Sequence, residues 1–384
     1  MDIVVVGAGV FGATASLELS RRGHSVTLVD PGPLPHPNAA STDISKMVRM
    51  DYGTDELYYE MMEASFPLWR QWNESWGQEL YREDGYLVIA AGPLAEGGYE
   101  ADCLATLAKR GHDVEVIDVD WLADRTPAWS VPDDTEGYFN PVGGWAESAN
   151  VVTRILRESV GVGTELVEAP LSGFLGGGDE VEGIATADGG VLNGDIVVLA
   201  VGTWAPQILP ELDDVMWSVG QPVYHFEVED AYEWQPPEFL PWAMDVANTG
   251  WHGFVALDEG VLKIANHGPG SLEDPDGHRD LPEESEDMFR DFLDDRLPDL
   301  ADADIVDTRL CFYADTFDGD FWIDHHPDRS GLVVAGGGSG HAFKFAPVLG
   351  GLIADAVEEE PNQWLERFAW RDAGDRKTEE ARFS

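Results

Sequence analysis

Apolar and polar positions recur along this chain with different periods, and each period predicts an element. Asp2-Ile3-Val4-Val5-Val6 is an unbroken, largely β-branched apolar run, the pattern of a strand buried on both faces. Ala13, Ala15, Leu17 and Leu19, set among Ser16, Glu18, Ser20 and Arg21, predict a helix that stops at Gly23. A second buried strand over 25–29 ends at Asp30. Helical patterns follow over 56–77, 101–111, 150–160 and 280–297, with a hairpin over 171–187 and another fully apolar strand over 195–201. From 216 to about 306 the period falls to two, as in the runs 223–228, 253–257 and 260–265, which predicts antiparallel strands with one face free for a cavity.

The opening strand, helix and strand enclose Gly7-Ala8-Gly9-Val10-Phe11-Gly12, with Asp30 eighteen residues past the last glycine. Gly7 permits the tight turn, Gly9 leaves room for a pyrophosphate, and Gly12 lets the helix lie close to the strand. The helix amino terminus, with Val10 and Phe11 in its first turn, offers free N–H groups to phosphates, and Asp30 offers acceptors to ribose hydroxyls. The pattern predicts a dinucleotide site and leaves FAD and NAD equally open. Later, Gly202-Thr203-Trp204 follows the strand over 195–201. Gly336-Gly337-Gly338-Ser339-Gly340-His341 follows an apolar run over 331–335, a second glycine-rich turn that could close over a ligand.

Charge changes the picture of the surface. Asp plus Glu number 73 against 23 Lys plus Arg, a net charge of −50 spread along the chain rather than gathered in a tail. Such a surface repels nucleic acid and anionic membranes, and it needs screening by salt. The absence of a long apolar stretch and the start directly on a strand suggest a cytoplasmic protein, in a salt-rich cytoplasm. Its two cysteines, Cys103 and Cys311, make a disulfide scaffold implausible. Only five lysines stand beside eighteen arginines, and Lys46, Lys263 and Lys344 fall inside apolar runs, where a cation needs a reason. Lys46 and Arg49 would share a face if their segment were helical. The aromatic stripe Tyr58, Tyr59, Phe66, Trp69, Trp72 and Trp76 reads as core, and Asp324-His325-His326 as a loop rather than a metal site.

These residues carry a resemblance. The chain resembles the D-amino-acid-oxidase-type flavoprotein superfamily, and within it the monomeric sarcosine oxidase, N-methyltryptophan oxidase and pipecolate oxidase group. The resemblance is most specific in the opening strand-helix-strand, Lys46 to Gly53, Gly253 to His267, Cys311 to Asp324, and Gly337 to Lys344. It implies an α/β fold in which a Rossmann-type FAD-binding domain (1–84, 143–215, 319–370) is interleaved with an antiparallel-sheet substrate domain (85–142, 216–318), followed by a charged tail over 371–384.

It implies FAD, covalently held through Cys311, with Gly7, Gly9, Val10, Phe11, Gly12, Asp30, Gly202, Trp204, Gly337, Gly338, Gly340, His341 and Lys344 around it. Lys263 matches the lysine that activates dioxygen. Arg49 and Lys344 match the cations that hold a substrate carboxylate, Lys46 stands where an arginine is frequent near the flavin, and His267 matches an active-site histidine. Tyr313, in Cys-Phe-Tyr, completes the set.

The sequence departs from that group at two positions. His252 stands where sarcosine oxidases have a tyrosine, and Met50 replaces a histidine. The implied partners are a small amino-acid substrate, sarcosine foremost, and dioxygen, with neither nucleic acid nor membrane, in a monomer or small homo-oligomer. Two other readings are a dehydrogenase passing electrons to a carrier and a flavin-binding subunit without chemistry of its own. Cations beside a flavin would in any case stabilise its anionic reduced form and the charge that develops on oxygen.

Overall fold

Ile3 to Val6 form the expected strand and are buried on both faces. This strand, Asp2–Val6, runs parallel to Ser25–Asp30 on one side and to Ile196–Leu199 on the other. Glu165–Glu168 and Leu332–Gly336 extend the sheet in parallel at either end, and Trp322–His325 closes one edge antiparallel. The protein is described by a computed structural model over residues 1–246 and 248–374, among which these strands form one six-stranded sheet. Ile3 and Val5 face a core shared with helices Val10–Arg21, Ser148–Gly161 and Ala346–Val357. Val4 and Val6 face the opposite core, with Ile184, Leu209 and Leu212.

The second large sheet has nine strands drawn from 86–140 and 216–316. Near one edge lies the twelve-residue strand Met216–Glu227, paired antiparallel with Val261–Asn266 on one side and with Ile305–Thr316 on the other. The antiparallel expectation holds except at one seam, where Trp242–Met244 runs parallel to Leu87–Ile89. Those two strands come from separate stretches of chain, so no hairpin dictates their direction. Among the described residues no helix is long and apolar enough to cross a membrane.

Most predicted elements lie within a few residues of their expected bounds. The aromatic helix is Glu56–Trp76, ended by Gly77 in the left-handed conformation, and Tyr58, Tyr59, Phe66, Trp69 and Trp76 are buried. Cys103 is a fully buried core residue whose Sγ accepts the Gly53 N–H. Three expectations need correction. Lys46 and Arg49 do not share a helical turn: Lys46–Val48 is a short strand, paired with Gly144–Ala146. The run over 253–257 is a strand only from Trp251 to Gly253. The acidic helix starts at Ser285 rather than near 280. Of the tail, 375–384 lie outside the described residues, while Arg371 is held in the fold by Asp318 at 2.7 Å.

Candidate active site

Parallel strands deliver their carboxyl ends to one edge. Gly7 follows Asp2–Val6, Gly202 lies just beyond Ile196–Leu199, and Gly337 follows Leu332–Gly336, so three glycine turns stand side by side. A Cβ at Gly12 would lie 1.8 Å from the Gly7 carbonyl oxygen, which explains that glycine by helix-strand packing. Gly9 has no such reason. Its backbone is ordinary, and a Cβ there would meet only Ser41 Oγ at 3.5 Å, so the space it leaves open is available to a ligand at the helix amino terminus. Asp30 braces this turn by accepting the Ala8 N–H at 2.8 Å and the Gly32 N–H at 2.9 Å. Val10 and Phe11 are buried, and a Cβ at Gly338 would lie 3.3 Å from the Phe11 ring, so the two glycine-rich turns abut. Trp204 is oriented by a 2.8 Å hydrogen bond from Nε1 to Asp276.

The remaining candidates gather in one cavity. Its floor is one face of the second sheet. In a strand every second residue points the same way, and directly paired residues share a face. Lys263, Ala265 and His267 therefore project with Val223 and with Cys311 and Tyr313. Lys46 and Arg49 enter from the strand Lys46–Val48 and its exit, and Gly340, His341 and Lys344 from the second glycine turn. Gly340 has φ +74°, and a Cβ there would lie 2.4 Å from the Tyr313 ring.

Four cations thus line a cavity in a chain of charge −50. Lys263 is buried; its ammonium donates to Asp43 Oδ2 at 2.6 Å and to the Ser45 carbonyl at 2.7 Å, and lies 4.7 Å from the Phe254 ring centroid. Burial pushes Lys263 down to about 8, with the Asp43 carboxylate opposing the fall. Burial would raise Asp43, but Lys263, His225, Lys46 and Arg309 hold it well below the usual carboxylate range. Lys344, also buried, donates to Tyr52 Oη at 2.8 Å and to the His341 carbonyl at 3.0 Å, and Tyr52 Oη lies 2.9 Å from His341 Nδ1. Arg49 donates to the Asp51 carbonyl, and its guanidinium sits 5.3 Å from the Tyr52 ring centroid. Burial first, then the charges of His267 and Lys263, pushes His252 down to about 3, so its imidazole is neutral.

Sequence reasoning missed Asp43 and Tyr52, which hold the ammonium groups of Lys263 and Lys344, and the aromatic walls Trp251, Phe254 and Phe343. An acid between Thr42 and Ile44, three residues before Lys46, was the available signal for Asp43.

A model of the FAD dependent oxidoreductase (DAO) family matches residues 2–356. The chain belongs to this family. It is 29% identical over 360 residues to the monomeric sarcosine oxidase of Bacillus sp. (strain B-0618), covering 92% of this chain and 91% of that protein. It is 27% identical over 415 residues to the L-saccharopine oxidase of Schizosaccharomyces pombe, covering 96% and 93%. The crystal structure of Amadoriase I, a fructosyl amine:oxygen oxidoreductase from Aspergillus fumigatus, superposes with a TM-score of 0.82 at 25% identity, over 96% of this chain and 89% of that one. The residues present fit FAD. Besides the open space at Gly9, Ser45 Oγ beside Lys46 and Thr203 Oγ1 beside Gly202 are buried without a hydrogen-bond partner among the described residues, as suits positions that meet a polar ligand.

Proposed function

We propose that this family member is an oxidase of a secondary or N-methyl α-amino acid, yielding an imine and hydrogen peroxide. The observation that carries the reading is the convergence of Arg49, Lys344, Lys263 and Cys311 on one cavity. The glycine turns would hold the ADP part of FAD, and the cavity its ring. When bound, FAD accepts a hydride from the carbon beside nitrogen and passes both electrons to dioxygen. Arg49 and Lys344 hold the substrate carboxylate, which fixes the amine within the cavity. A neutral His252 adds no charge beside that amine. The aromatic walls exclude water, and the Lys263 cation favours charge developing on oxygen. Cys311 would hold the cofactor as a thioether, its S–H and one C–H of the ring's methyl group giving way to the C–S bond while dioxygen takes up the two electrons and two protons released. Every group named comes from a single chain, so the reading needs no second subunit.

Sarcosine is the substrate expected first, as the smallest N-methyl amino acid. The acidic, lysine-poor surface suits a salt-rich cytoplasm, where the screening length near 1 M salt is about 3 Å. The test is an anaerobic panel of sarcosine, proline, pipecolate and glycine, read by loss of the yellow flavin absorbance. Bleaching by at least one secondary amino acid, and not by glycine, supports the reading. No bleaching by any of them refutes it and leaves a flavin binder without this chemistry.

A further inference from the structure

A second cavity lies on the same face of the sheet as the first, and Asp43 belongs to the walls of both. The register of three strands explains what joins them. His225 is paired directly with Lys263 on one side and with Asp307 on the other, so the three side chains form a row across the sheet. Asp43 comes down onto this row from the segment before Lys46–Val48. The Lys263 ammonium is 2.6 Å from Asp43 Oδ2, Asp43 Oδ1 is 3.5 Å from His225 Nε2, and His225 Nδ1 is 3.4 Å from Asp307 Oδ2. Lys263, Asp43 and His225 are buried, whereas the Asp307 side chain is 73% exposed and lines the second cavity. Titratable groups, each within 3.5 Å of the next, therefore lead from the first cavity to solvent.

We infer that Asp307, His225 and Asp43 form a proton route that serves Lys263 from the second cavity. The inference rests on the oxidase reading above and assigns that site its proton supply. Oxidation by dioxygen consumes one proton from solvent: anionic reduced FAD, dioxygen and a proton give oxidised FAD and hydrogen peroxide. Walls that keep water from the substrate also keep solvent protons from Lys263, so a built path is needed. His225 is the one member that can accept a proton on one ring nitrogen while releasing another. Its Nε2 has no hydrogen bond among the described residues, and protonating the ring would draw that nitrogen onto Asp43. Asp43 then lies between two donors, His225 and Lys263.

Other charges face this row and set its pH response. Lys46 and Arg309 act on Asp43 from the neighbouring strands. Glu147, Asp258 and Glu259 surround the mouth of the second cavity with Arg82 and Arg279.

The experiment uses flavin-loaded protein in stopped flow, with the reduction by amine and the reoxidation by dioxygen measured separately. The variants are His225→Ala and, to guard against misfolding of a buried replacement, the exposed Asp307→Asn. His225→Ala slows reoxidation by about tenfold or more, the lower end of what a positioned proton donor contributes, and leaves the anaerobic reduction rate unchanged. Added imidazole, entering from the second cavity, restores the rate in proportion to its concentration. Asp307→Asn slows reoxidation less and steepens its dependence on pH. In parallel, NMR of ¹⁵N-histidine-labelled protein follows the His225 ring, whose nitrogen resonances move in both Asp307→Asn and Asp43→Asn. Reoxidation of both variants at the wild-type rate, without an imidazole effect, overturns the route while the oxidase reading stands. If the reduced wild-type protein is itself not reoxidised by dioxygen, it is the oxidase reading that fails, and a His225 ring indifferent to both substitutions then overturns the coupled row as well.

Discussion

The Lys344 ammonium donates a 2.8 Å hydrogen bond to Tyr52 Oη, and both groups are buried where the second glycine turn meets the segment after Lys46–Val48. Tyr52, together with the His341 carbonyl, thus aims a cation carried on four methylenes. Lys344→Met raises KM for the amino-acid substrate by about 10- to 100-fold, the loss expected for a charge-assisted hydrogen bond to carboxylate. Tyr52→Phe raises it only a few-fold, because the cation stays, still bonded to the His341 carbonyl, and loses one of its tethers. Steady-state kinetics of both variants checks this. Equal effects would mean that Tyr52 contacts substrate itself.

Cys311 is buried and projects into the cavity from the face that carries Lys263. Acid precipitation of wild-type protein leaves flavin with the pellet, and the peptide containing residue 311 carries the added mass. Cys311→Ser releases all of it into the supernatant.

Lys263 is held down to about 8, so it is largely cationic at neutral pH and loses its charge as pH rises through that value. If the cation assists dioxygen, the reoxidation rate falls above about pH 8 while anaerobic reduction does not follow the same titration. Lys263→Met removes this pH dependence and slows reoxidation by about 100-fold or more, within the range found for a single electrostatic donor. The stability effect runs the other way. Unfolded lysine keeps its proton to about 10.5, so between about 8 and 10.5 the unfolded chain binds more protons, and Lys263 contributes a rise in stability with pH across that window.

Four strands of the six-stranded sheet were legible because they are continuous apolar runs bounded by glycine or acid, a signal that depends only on neighbours in sequence, whereas Glu165–Glu168 and Trp322–His325 carry charged residues and gave no such run. The cations were legible for a related reason, since a lysine between Leu262 and Ile264 in a lysine-poor chain has few ordinary explanations. The local shape at Lys46 was not, because a three-residue strand has no period of its own and is set by pairing with Trp145 and its neighbours. Asp43, His225 and Asp307 were invisible as a group. They stand far apart in the chain: the register of Met216–Glu227 with its two partners aligns His225 and Asp307 with Lys263, and Asp43 reaches that row from a separate segment.

The net charge of −50 predicts a salt requirement. Self-repulsion of the surface falls as the screening length drops from about 10 Å at 0.1 M to about 3 Å at 1 M, so the unfolding midpoint rises steadily across that range of potassium chloride. Thermal unfolding followed by flavin fluorescence checks this, and a midpoint insensitive to salt would remove the argument for a salt-rich setting.

The most direct measurement is a crystal structure of the flavin-loaded protein with a substrate analogue in which sulfur replaces the amine nitrogen and the carboxylate is kept. The account predicts the isoalloxazine ring between Lys263 and Cys311, with the analogue's carboxylate within hydrogen-bond distance of Arg49 and Lys344. A ring lodged elsewhere, or a carboxylate bound away from both cations, would contradict it.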